Sequence, residues 1–176
     1  MSKIELYDDL ELTGDSVSIE ADNPDLTSTG FLKRTQSLKV HGEPWVVFSN
    51  TNYQGDFKVF KEGSYHKLPN FSNVISSLRV VTSGLQQPKI IVHERPNQSG
   101  VQRIISNVAS SLDSFGISGV CSHKVEKGVW ILYDGEQYQG SSIVSITGDK
   151  VDDETIPGLS GKVRSLKPYL VYETPN

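Results

Sequence analysis

Cysteine is almost absent from this sequence. Cys121 is the only one among 176 residues, so no intrachain disulfide can form and the disulfide framework of small secreted domains is excluded. The first residues carry acidic side chains where a signal peptide needs an apolar run. A reducing compartment is the simplest interpretation, and the predicted localisation is cytoplasmic.

Long apolar runs and clusters of basic residues are also missing. No segment approaches the ~18 apolar residues of a membrane span, so we predict no transmembrane segment. Seventeen basic and twenty-one acidic residues give a net charge of −4, so we expect no nucleic-acid binding, which needs a basic surface. The four histidines lack zinc-like spacing and no local signature marks Cys121 as a nucleophile. We therefore predict that the protein is not an enzyme.

Internal repeats are the strongest pattern that the sequence does contain. Trp45–Gly55 and Trp130–Gly140 share a Trp, two aromatic positions, a Gln and a Gly at an offset of 85 positions. Fainter copies precede them, at Tyr7–Gly14 and His93–Gly100. Four repeats therefore fill the chain.

The local patterns within the repeats indicate short β-strands. Apolar stretches that alternate with period two open and close each repeat, and turn residues separate them. This is typical of a β-sandwich. Between Val101 and Phe115 the spacing also allows a strand to Ile105 and a short helical turn near Asn107–Ser114. Thr82–Pro88 is the strongest break and is interpreted as an interdomain linker.

The aromatic positions carry a family resemblance. Aromatic, four residues, aromatic, any residue, Gly resembles the signature of the βγ-crystallin Greek key, and it is complete at Phe48–Gly55 and Tyr133–Gly140. Gly63–Leu68 resembles the tyrosine corner of the same family, so we expect Tyr65 to be buried with its hydroxyl bonded to the backbone of a neighbouring connection. The resemblance implies an all-β fold with two Greek-key β-sandwich domains, residues 1–83 with the first two keys and residues 88–176 with the last two, and the first and third keys are degenerate.

The resemblance also implies what the protein does. Members are non-enzymatic, with structural roles in the lens and calcium binding in microbial and non-lens animal relatives. We therefore expect a structural or stress-related protein, with self-association through domain pairing. The alternative is a recognition or membrane-partnering module that acts with a pore-forming or glycan-bearing partner, for which the tail Tyr169–Asn176 is a candidate attachment point.

The family's calcium loop has six positions: two acids or amides, two free positions, Ser or Thr, then Ser. In repeat two this loop is Ser72–Ser77, and the resemblance implies a Ca2+ site in the first domain. The implied ligands are Asp8, Ser72, Asn73 and Ser76. Oxygen-only ligand sets of this kind suit calcium. Two alternatives remain open, in which Ser76 caps a turn and Asp8 is a solvated loop acid.

The other three loops are predicted not to bind. Leu32–Ser37 of repeat one has an apolar residue and two cations at the first three positions, whereas Cys121 and Arg164 stand at the hydroxyl position in repeats three and four. The second domain is therefore expected not to bind calcium. The acidic run Asp149–Glu154 lacks the pattern of an EF-hand loop and is interpreted as a solvated loop.

Overall fold

The computed structural model describes residues 2–154 and 162–170. The chain is built from antiparallel β-sheets and divides into two compact units between Thr82 and Ser83. The expected all-β fold with two domains is confirmed. The loop of repeat four, which is predicted not to bind calcium, begins at Ser160, and the tail Tyr169–Asn176 continues beyond residue 170, so both lie partly outside the described residues.

The first domain holds two sheets that share strands between the repeats. Its strands are β1 (Lys3–Tyr7), β2 (Ser16–Ile19), β3 (Ser37–His41), β4 (Trp45–Phe48), β5 (Phe57–Phe60), β6 (Gly63–Tyr65) and β7 (Ser77–Val80). One sheet has the order β2-β1-β3-β6 and the other β5-β4-β7. Strand β6 belongs to repeat two yet completes the sheet of repeat one. A 3-10 helix, Leu26–Thr29, lies between β2 and β3.

The second domain repeats this arrangement. Its strands are β8 (Lys89–Arg95), β9 (Ser99–Ile105), β10 (Ser122–Lys127), β11 (Val129–Tyr133), β12 (Ser142–Ile146), β13 (Lys150–Val151) and β14 (Ser165–Pro168). The sheet orders are β13-β10-β8-β9 and β12-β11-β14. Two further 3-10 helices span Leu112–Phe115 and Glu136–Tyr138. The first of them confirms the predicted strand to Ile105 followed by a short helical turn.

Each domain has its own hydrophobic core, centred on equivalent residues. Trp45 and Trp130 are both fully buried, as the first residue of β4 and the second residue of β11, and each of these strands is the middle strand of its three-stranded sheet. The first core includes Ile4, Leu6, Leu38, Val47, Ile75 and Leu78, and the second Ile90, Val92, Leu112, Val125, Leu132 and Leu166. Burial of these side chains is the main driving force for folding each domain.

The motif of each repeat forms a hairpin that folds back over its own strand. The residue at the second aromatic position has a left-handed backbone in all four repeats, with φ between 56° and 61° at Leu12, Tyr53, Gln98 and Tyr138. In the two complete motifs the rings then pack together, with Phe48 and Tyr53 centroids 5.8 Å apart and Tyr133 and Tyr138 centroids 5.7 Å apart.

A buried serine fixes the folded hairpin in every repeat. We call these four residues the clamp serines: Ser37, Ser77, Ser122 and Ser165, each at the first residue of its repeat's closing strand. Each hydroxyl donates to a hairpin carbonyl at 2.6 Å and accepts from the amide of the left-handed residue at 2.9–3.0 Å. The clamp satisfies two backbone groups that the fold buries.

The tyrosine corner differs in part from expectation. The Tyr65 hydroxyl donates to the Lys61 carbonyl at 2.8 Å, and its ring meets the Phe60 ring edge-on at 4.8 Å. The bond to backbone is as predicted, but the side chain is half-buried where full burial was expected. Burial raises the pKa of the Tyr65 phenol, against the effect of the bond to Lys61.

Candidate functional site

The predicted calcium loop lies against its counterpart from repeat one. We call Leu32–Ser37 loop one and Ser72–Ser77 loop two. Lys33 N donates to Ile75 O at 3.0 Å, and Asn73 N donates to Thr35 O at 2.9 Å. Lys33 and Asn73 are both the second residues of their loops, and both have a left-handed backbone, with φ of 55° and 60°. The two loops are therefore related by a local two-fold arrangement.

Ser76, the fifth residue of loop two, is fully buried. Its hydroxyl contacts Ser49 O at 2.8 Å and Val74 O at 3.0 Å. A lysine from loop one reaches the same place, because Lys33 Nζ donates to Ser49 O at 3.1 Å. The hydroxyl that the sequence assigns to calcium is thus next to an ammonium group.

A surface cavity of about 390 Å³ lies beside these groups. It is lined by Leu32, Lys33, Asn50, Thr51, Asn52, Gln54 and Ser76. Amides, hydroxyls and one ammonium surround it, and no carboxylate belongs to this lining. The cavity is therefore polar with a positive charge.

Asp8 lies in a different set of contacts. Its Oδ1 accepts from Asp15 N at 2.8 Å, which closes the folded hairpin of repeat one, and its Oδ2 pairs with Arg34 at 2.7 Å. Its carbonyl accepts from Gln36 Nε2 at 2.7 Å. Gln36 is the fifth residue of loop one, so this bond is the counterpart of the bond from Ser76 to Ser49.

The structure does not bring the four predicted ligands together. Among the described residues, no hydrogen bond joins Asp8 to Ser72, Asn73 or Ser76. Ser72 and Asn73 are exposed. Within residues 2–154 and 162–170, no group of three or more His, Cys, Asp or Glu side chains is placed to hold a metal.

These residues do not fit a calcium ion as they are arranged. Calcium needs about six to eight oxygen ligands. Here the Ser49 carbonyl is bound by an ammonium and the Asp8 carboxylate by a guanidinium. A divalent cation at either place would face a positive charge that the chain itself supplies. Calcium binding stays a prediction of the resemblance, and these contacts weigh against it.

The equivalent positions in the second domain carry a thiol and a guanidinium. The backbone amide of Cys121 donates to His93 O, and that of Arg164 donates to Tyr133 O. The backbone amides of Gln36 and Ser76 make the equivalent bonds in the first domain. Burial raises the pKa of the Cys121 thiol; Lys162 lowers it, and nearby carboxylates, chiefly Glu154, raise it further. A thiol held in its neutral form is a poor nucleophile.

A buried polar network in the second domain was missed by the sequence reasoning. The interpretation of Asp149–Glu154 as a solvated loop is wrong at Glu154, which is only 1% exposed and bonds to His123 Nδ1. His123 Nε2 lies 2.8 Å from Ser145 Oγ. The residue types are those of a hydrolase triad, but Ser145 is 3% exposed and offers a substrate no approach. No pattern in the sequence pairs these three residues.

Two domains, each made of two antiparallel sheets that exchange a strand between repeats, define a protein of the intertwined Greek-key class. The sequence model of the Beta/Gamma crystallin family matches residues 3–81 and 89–169. The chain belongs to this family.

Similar proteins include an epidermal differentiation-specific protein and a beta-crystallin. The chain is 27% identical over 174 residues to the Epidermal differentiation-specific protein of Cynops pyrrhogaster, covering 99% of this chain and 52% of that protein. It is 28% identical to Beta-crystallin B2 of Homo sapiens, covering 94% of this chain and 83% of that protein. The chain thus spans about half the length of the Cynops relative.

Solved structures that resemble the chain include two beta-gamma crystallins. Geodin, a beta-gamma crystallin from Geodia cydonium, is 19% identical and aligns over 96% of this chain and 99% of its own, with a TM-score of 0.40. The beta gamma crystallin from Ciona intestinalis is 26% identical and aligns over 44% of this chain and 98% of its own, with a TM-score of 0.43.

In the described part of the chain, no helix has the length and apolar character needed to cross a membrane.

Proposed function

We propose that this chain is a non-enzymatic structural or stress-related member of its family. The observation that supports the proposal is the internal use of the polar groups in its motifs. All four clamp serines are buried and bonded to the hairpins of their own repeats. Groups committed in this way stabilise the fold and are not available to a substrate.

The test of this role is persistence under stress. We expect the purified chain to unfold cooperatively and to stay soluble at high concentration during prolonged heating below its melting temperature. Light scattering and calorimetry would measure this. A broad hydrolase screen belongs to the same experiment, because turnover that disappears in Ser145→Ala would replace the structural role with an enzymatic one.

Location and assembly are further parts of the proposal. The lone Cys121 supports a cytoplasmic location, which cell fractionation would test. Self-association through domain pairing is an expectation that family membership supports, and sedimentation velocity would measure it. Calcium binding by the first domain is an expectation of the resemblance alone and is not part of this proposal; calorimetric titration of the whole chain would test it.

A second candidate function is recognition of a polar partner such as a glycan. The observation in its favour is the cavity of about 390 Å³ beside Ser76, whose lining includes the amides of Asn50, Asn52 and Gln54. Amide side chains donate and accept hydrogen bonds and so suit sugar hydroxyls. Saturable binding on a glycan array, lost in Asn50→Ala, would favour this function over the structural one.

A further inference from the structure

Lys33 belongs to loop one, but its side chain reaches an oxygen of repeat two. Its ammonium donates to Ser49 O at 3.1 Å, and the same carbonyl lies 2.8 Å from the hydroxyl of Ser76. A positive charge is therefore held next to the hydroxyl at the fifth position of loop two. This is the position at which the family resemblance would place a calcium ion.

The two loops show why a lysine can do this. Lys33 and Asn73 occupy equivalent places, with the same left-handed backbone and matching hydrogen bonds to the opposite loop. They differ only in the side chain, since Asn73 carries a short neutral amide. The long side chain of Lys33 is thus an addition to a backbone arrangement that does not require it.

The oxygens on the other side of the loops also hold a cation from the chain. Arg34 lies 2.7 Å from Asp8 Oδ2 and 3.6 Å from Asp15 Oδ2, and its other nitrogen donates to Gly30 O at 2.7 Å. Two consecutive basic residues of loop one, Lys33 and Arg34, therefore each bind one of the two groups of oxygen atoms at the loop pair.

We propose that the Lys33 ammonium substitutes for a divalent cation between the two loops, so that the first domain is held together without calcium. The ammonium satisfies the Ser49 carbonyl and supplies the positive charge. Leu32, the first residue of loop one, lines the same cavity. An acidic residue at this position would offer a carboxylate to a cation, and leucine offers none. The native chain is then insensitive to calcium.

Lys33→Asn is the first test variant. Asparagine accepts a left-handed backbone more readily than other residues with a side chain, so the substitution removes the ammonium without adding strain. Lys67→Asn is the matched control. Lys67 is exposed and makes no hydrogen bond or ion pair within the described part of the chain. Leu32→Asp combined with Lys33→Asn is the second variant, which adds a carboxylate at the first loop position.

The measurement is hydrogen exchange of the whole chain with mass spectrometry, in EGTA and in about 10 mM CaCl2, above the ~1 mM range of weak protein calcium sites. Peptides over 32–37 and 72–77 report on the loops themselves. We expect no calcium effect in the native chain or in Lys67→Asn, partial protection in Lys33→Asn, and strong protection with a melting shift of about 5 °C in the double variant.

Two results would overturn the proposal. Calcium protection of these peptides in the native chain, abolished by Ser76→Ala, would show that the Lys33 ammonium does not keep calcium from the position. A folded Lys33→Asn chain without any calcium effect would show that the ammonium does not stand at a cation position. The second result decides the matter even if the double variant does not fold.

Discussion

The clamp serines show how one hydroxyl can hold a repeat together. Each is fully buried, and each both donates to and accepts from the backbone of a hairpin about 25 residues away in the sequence. Serine is required because a hydroxyl can do both at once. Alanine at this position would leave a buried carbonyl and a buried amide without partners.

We expect Ser77→Ala to lower the free energy of unfolding by about 1–3 kcal/mol, the usual cost of stranding buried polar groups. Urea titration followed by fluorescence would measure it. Ser64→Ala is the control, because Ser64 is exposed on β6. Equal midpoints for the two variants would show that the clamp contributes nothing.

Glu154 carries a buried carboxylate whose partner is His123, itself completely buried. Removing one member leaves the other buried without its hydrogen-bond partner. We expect Glu154→Ala to cost the second domain about 1–3 kcal/mol, the usual cost of stranding a buried polar group, measured by chemical denaturation. Glu126→Ala on the exposed face of β10 is the control and should change stability little.

At the scale of the element, the folded hairpin depends on a glycine that cannot carry a side chain. Gly55 has φ of 85°, and a Cβ built there would lie 2.4 Å from Ser49 Oγ. Gly30 has a similar φ of 76°, but nothing lies within 4 Å of its Cβ position. A comparison of alanine substitutions at the two glycines therefore distinguishes the cost of backbone strain from the cost of a steric clash.

Gly30→Ala should cost about 1–2 kcal/mol, the strain of a left-handed alanine. Gly55→Ala should cost clearly more, because the clash with Ser49 is added to the same strain. Thermal unfolding of both variants would test this order. If both variants melt at the same temperature, the hairpin has room for a methyl group at position 55. Glycine would then be needed there only for its left-handed backbone conformation.

The sequence predicts elements where a pattern repeats and fails where contacts are particular to one place. Trp45 and Trp130 could be aligned because a duplication keeps core residues at a fixed offset. The reach of Lys33 to Ser49 could not be predicted, since it depends on how two loops from different repeats face each other. Glu154 was misjudged for a related reason, because its partner His123 lies on a strand from the preceding repeat.

At the scale of the whole molecule, each domain contains what it needs to fold. All buried members of the first core lie between Ile4 and Leu78, and the strands that the structure describes in the two domains belong to separate sheets. We expect residues 1–82 expressed alone to unfold in one cooperative transition by calorimetry. Residues 1–62, which lack β6 and β7, are the control and should not. A non-cooperative melt of residues 1–82 would make the second domain a requirement for the first.

The exchange of β6 into the sheet of repeat one has a consequence for the origin of the fold. A chain with a single repeat has no fourth strand for its sheet and leaves an edge open to pairing. Two such chains can complete each other by the contact that β3 and β6 make here within one chain. Gene fusion would then turn a homodimer into a domain with little change in its interface, and would free the two halves to diverge, as loop one has done from loop two.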